Sequence, residues 1–151
     1  MIQPGDTVPE GEIRTGAGTS ISLGDLRGRA VAVFLLGRVG PAFVAELLTA
    51  LTEHIHRLLA LQVSPMVVLS DPDKQLDSAS RRESVPYLIS VDQNLFLHQQ
   101  FQVVDVDDVG VWLIDENSVI TDVIPALPPG ELVRLCVKRA TRTLADADGP
   151  M

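Results

Sequence analysis

The stretch that most constrains this 151-residue chain runs from residue 30 to residue 61. Residues 30–36 (AVAVFLL) are continuously apolar, the pattern of a central strand covered on both faces. Gly37, Arg38, Val39 and Gly40 form a short turn, and Pro41 suits the first position of a helix, where its missing N–H is no loss. From there Val44, Leu47, Leu48, Leu51, Ile55, Leu58 and Leu59 recur at i, i+3 and i+4 spacing, so one face of a long helix is apolar. Glu46, Glu53, His56 and Arg57 fall on the other side.

The flanking segments extend this unit. Residues 1–12 hold Pro4, Gly5, Pro9 and Gly11 and read as an extended, turn-rich arm. Residues 12–15 and 20–23 alternate polar and apolar around Gly16-Ala17-Gly18, which predicts an N-terminal β-hairpin. A single helical turn over residues 22–28 stops at Gly28. Residues 65–69 (PMVVL) form a second buried strand, and the Asp71-Pro72-Asp73 turn starts a polar helix to about Glu83. A third strand over 85–91 and a short helix over 95–101 follow. Residues 109–115 and 118–124 flank Glu116-Asn117 as a strand pair. Pro128-Pro129-Gly130 leads a last helix with Leu132, Leu135, Cys136, Ala140 and Leu144 inward. The order is hairpin, βαβα, strand pair, terminal helix, which implies a mixed sheet with helices on both faces. One domain spans 1–144, and 145–151 reads as a loose tail.

Composition narrows the partners. A net charge of −8 and a pI near 4.7 argue against nucleic acid and anionic membranes, which need a basic surface. No apolar run approaches the ~18–20 residues of a membrane span. The first residues carry neither a basic n-region nor an apolar h-region, so a cytoplasmic protein is expected. Cys136 is the single cysteine, which excludes an intramolecular disulfide.

Four local signatures, in order, carry a family resemblance. Pro4-Gly5-Asp6-Thr7-Val8-Pro9 resembles a G-D-x-A-P opening, and Ser20-Ile21-Ser22-Leu23-Gly24-Asp25-Leu26-Arg27-Gly28-Arg29 resembles an sLsDlkGk stretch. The segment ending Ala45-Glu46-Leu47 is the third, and Trp112-Leu113-Ile114-Asp115 with Asn117 is the fourth. Together they resemble the peroxiredoxin branch of the thioredoxin-like fold, the alkyl hydroperoxide reductase/thiol-specific antioxidant family. The resemblance implies an α/β three-layer sandwich with a mixed central sheet. It also makes a homodimer an expected assembly.

The chemistry that the resemblance implies is missing from the positions that should hold it. The family motif P-x-x-x-T/S-x-x-C precedes Glu-Leu, and its thiolate is activated by helix N–H groups and a nearby arginine. Counting back from Glu46-Leu47, the cysteine position is Phe43, the hydroxyl position Gly40 and the first proline Leu36; Pro41 remains. In relatives with G-C-P-F-C the paired cysteines would fall at Gly40 and Phe43. The family arginine falls at about Val109. Cysteine, hydroxyl and arginine are lost together, which implies a redox-inactive relative.

Cys136 lies on the apolar face of the last helix, where nothing adjacent would activate it, so inert packing is favoured over a relocated redox thiol. His54 and His56 point to nearly opposite sides of their helix and His98 is remote, so no metal or cofactor is expected. Asp105, Asp107 and Asp108 lack the spacing of a calcium loop. Arg38 stands beside the vacated turn, where a helix N-terminus favours anions. Arg38, Gly40, Pro41, Phe43 and Trp112 are therefore the candidate binding residues, with Trp112 favoured as core. Three functions stay open: a binding or accessory protein using the old active-site surface, an enzyme holding a small anionic molecule there, and a thiol-dependent antioxidant using Cys136.

Overall fold

The computed structural model describes residues 4–7, 12–15, 20–22, 30–37, 40–69, 88–91, 109–124 and 127–147. These hold the strands β1 (Glu12–Thr15), β2 (Ser20–Ser22), β3 (Ala30–Leu36), β4 (Val63–Leu69), β5 (Leu88–Val91), β6 (Val109–Ile114) and β7 (Ile120–Ile124). Two helices accompany them, α1 (Pro41–Ala60) and α2 (Pro129–Ala147). The strands make one sheet in the order β2-β1-β5-β4-β3-β6-β7. β3, β4 and β5 run parallel, while β1, β6 and β7 pair antiparallel to their neighbours. The sheet is thus mixed, and the N-terminal hairpin sits at one end of it, as the sequence predicts. The helices expected over 71–83 and 95–101, and the helical turn over 22–28, lie outside the described residues.

β3 is central because its residues cannot face water on either side. Ala32, Phe34 and Leu36 point to one face and Val33 and Leu35 to the other, and all five are fully buried. On the first face the strand meets Leu47, Leu51 and Leu58 of α1 and Leu132 and Cys136 of α2 in one continuous core. The i, i+3, i+4 stripe of α1 is the stripe that packs. Full burial of each leucine contributes on the order of 1.5–3 kcal/mol.

Element ends follow from local chemistry. α1 starts at Gly40, whose extended backbone (φ −78°, ψ 171°) turns the chain into Pro41 at the first helical position. It stops where Gln62 takes a left-handed conformation (φ 62°) and its N–H reaches Leu59 O at 3.0 Å. β4 begins at Val63, two residues before the expected start, because β3 pairs Ala30 with Val63 and so aligns both strands from there. Pro65 costs no ladder bond with β5, whose pairing begins at Met66.

The strand expected over 118–124 starts later, at Ile120. Ser118 has φ 64° and closes a three-residue loop with Glu116 and Asn117, its N–H donating to Asp115 O at 3.1 Å. α2 continues to Ala147, beyond the expected boundary at 144. The N-terminal arm is stitched to the outer edge of β7: Gly5 N donates to Ile120 O at 2.7 Å, and Ile120 N donates to Asp6 O at 2.8 Å.

Candidate functional site

The register between β3 and β6 sets the geometry at the carboxyl end of β3. Leu36 pairs with Val109, so the last residue of β3 and the first of β6 lie side by side where the chain turns into α1. Gly40, Pro41 and Ala42 are exposed on the first turn of that helix. Phe43 is half-buried, and its ring packs against the core that contains Val109. The three positions from which the resemblance expects a hydroxyl, a thiol and an arginine therefore stand at one pole of the sheet. They present a bare backbone, an aromatic ring and a buried isopropyl group, with neither a nucleophile nor a cation among them. The first turn of α1 carries no acidic residue and no side-chain cap. Arg38, Asp105, Asp107, Asp108 and His98 lie outside the described residues.

Trp112 does not join this pole. It pairs with Val33 in mid-strand, and the alternation along β6 aims it away from the face where Val109, Val111 and Leu113 meet α1. The sheet separates it from Phe43. Its indole lies across Gly110 on the same face, so close that a Cβ there would sit about 2.5 Å from Cζ3. Trp112 is 4% exposed and acts as core.

Cys136 is fully buried between the helices and the sheet. Burial, aided by the nearby Asp122 carboxylate, pushes its thiol up to about 12, so it is protonated at neutral pH. Asp122 in turn accepts a hydrogen bond from Arg139 Nη1 at 2.9 Å, which ties α2 to β7. A thiol in this setting lacks both the access and the ionisation that peroxide attack requires. His54 shares a hydrogen bond with Ala50 O at 2.9 Å on its own helix, and His56 is exposed. No group of three or more metal-ligating side chains occurs among the described residues. No helix among them is long and apolar enough to cross a membrane.

A feature that the sequence did not signal lies at the opposite pole. A cavity of about 270 Å³ opens where the amino ends of β3 and β4 meet the carboxyl end of β6, with Ala140 of α2 as part of its wall. Its lining comes from elements far apart in the chain, so no local motif marks it.

The chain matches the AhpC/TSA family over residues 4–123. No curated protein sequence matches it. Among solved structures it is similar to PrxQ from Xylella fastidiosa, at 13% identity and a TM-score of 0.81, covering 95% of this chain and 98% of that one. It is also similar to peroxiredoxin Q from Xanthomonas campestris (10% identity, TM-score 0.74, 92% and 99% covered). Peroxidoxin BcpB from Mycobacterium tuberculosis aligns at 16% identity with a TM-score of 0.75, covering 94% and 98%. At such identities the structural likeness shows the peroxiredoxin-type thioredoxin fold, and the match over residues 4–123 shows the family. This chain is a member of the AhpC/TSA family.

Proposed function

We propose that this protein is a redox-inactive member of its family that works as a binding or accessory protein, using the first turn of α1 as its contact surface. The observation that carries the reading is Phe43 at the position of the peroxidatic cysteine, with its ring packed into the core. The chain's one thiol, Cys136, is buried and protonated and cannot take over. Pro41 and Ala42, exposed beside Phe43, are uncharged side chains on which another protein can pack.

A second copy of the chain is the first partner to test. Ala42→Asp adds a charge to the surface while favouring the helix, because an anion in the first turn complements the dipole. Sedimentation velocity is expected to show a concentration-dependent dimer for the wild type and a monomer for Ala42→Asp. A wild type that stays monomeric at high micromolar concentration would contradict self-association through this turn.

A further inference from the structure

We propose that the cavity at the amino end of β3 is a binding site for a small, mostly apolar molecule carrying a protonated amine. It is separate from the first turn of α1: the length of β3 lies between them, about 20 Å of extended chain. In open α/β sheets ligands usually sit beyond the carboxyl ends of the parallel strands. This cavity lies at the other end, so the family's usual site does not account for it.

Its shape and lining define the ligand. Ala30, Val63, Leu113 and Ala140 line it with apolar groups, and Gln62, Asp115, Glu116 and Thr121 line it with polar ones. An apolar lining with a few convergent polar groups is the general form of a small-molecule pocket. A cavity of roughly 150 Å³ takes up one benzene ring, so 270 Å³ suits a molecule of about ten to twelve non-hydrogen atoms.

The sign of the charge follows from three groups. Asp115 and Glu116 are the charged side chains among the described residues of the lining, and both are acidic. The carboxyl end of α1, through Leu61 and Gln62, adds the negative pole of a helix dipole. Arg139, one residue before Ala140, is held by Asp122. An ammonium at the opening meets the two carboxylates and the negative pole of α1, and the apolar body enters the cavity.

The test uses three matched probes titrated into the isotope-labelled full chain at neutral pH: tryptamine, its neutral analogue tryptophol, and indole-3-acetate. Tryptamine is expected to shift the backbone amides of Gln62, Val63, Asp115, Glu116, Asn117 and Thr121 saturably, leaving those of Ala42 and Phe43 in place. Indole-3-acetate is expected to bind at least about tenfold more weakly. Glu116→Gln, at an exposed position, is expected to weaken tryptamine about threefold to fivefold with tryptophol unchanged. Thr121→Trp, which fills the cavity from its half-exposed edge, is expected to abolish the shifts. Absence of saturable shifts at millimolar probe would overturn the proposal, as would shifts confined to another surface. Equal binding of tryptamine and tryptophol, or tighter binding of the acid, would overturn the assigned charge.

Discussion

A methyl group added at Gly110 would be driven into the six-membered ring of Trp112, two residues on and on the same face of β6. The ring has no room to retreat, because Trp112 is itself buried in mid-sheet beside Val33. Gly110→Ala is therefore expected to lower stability by about 1–3 kcal/mol, read as a lower midpoint of denaturant unfolding. Cys136 gives a second residue-scale expectation. Its thiol is raised in the folded state from 9.0 to about 12, so its contribution to stability is fully present below pH 9 and is lost as pH rises through about 12. Cys136→Ala should lose some core packing at neutral pH and show a shallower decline in stability between pH 9 and pH 11. An equally steep decline would mean that the thiol ionises as freely in the folded protein as in the unfolded chain. The burial of Cys136, the main reason its thiol stays protonated, was readable from its apolar neighbours. The smaller push from the Asp122 carboxylate was not, because Asp122 approaches from another element.

At the scale of elements, α1 was the most legible part of the chain. Its stripe from Val44 to Leu58 is read directly from spacing, and Pro41 fixes its start. The β6–β7 hairpin was legible in place and not in detail. Glu116-Asn117 marks a turn, yet the Asp115 side chain sets its form: Oδ1 accepts from Asn117 N at 2.8 Å and from Val119 N at 3.0 Å. Those two bonds hold a three-residue loop and push Ser118 into the left-handed region, which delays β7 to Ile120. Asp115→Ala removes both acceptors and is expected to cost about 1–2 kcal/mol, whereas Asp115→Asn, which keeps a carbonyl oxygen there, should cost less. Equal losses in the two variants, measured by thermal unfolding, would mean that the carboxylate charge matters more than the cap.

At the scale of the whole molecule, the mixed sheet and its hairpin followed from the order of apolar runs. The pairing register did not, since single-sequence periodicity carries no information on which strands meet. Register is what brings Val109 to the end of β3 beside α1 and leaves Trp112 on the far face. A binding surface shared by Phe43 and Trp112, both candidate binding residues in the sequence, is divided by the sheet. The cavity at the opposite pole was illegible for the same reason: its lining joins β3, β4, β6 and α2. That no cysteine stands at the turn into α1 was legible, because the sequence shows it without geometry. The geometry adds that Phe43 packs inward, that Val109 is buried, and that the remaining thiol is sealed in the core.

Redox inactivity is tested by turnover of hydrogen peroxide and an organic hydroperoxide with excess dithiothreitol, comparing wild type with Cys136→Ser. Consumption no faster than with dithiothreitol alone is expected for both proteins. Turnover by the wild type that is lost in Cys136→Ser would contradict redox inactivity, by showing a working thiol where the structure buries a protonated one.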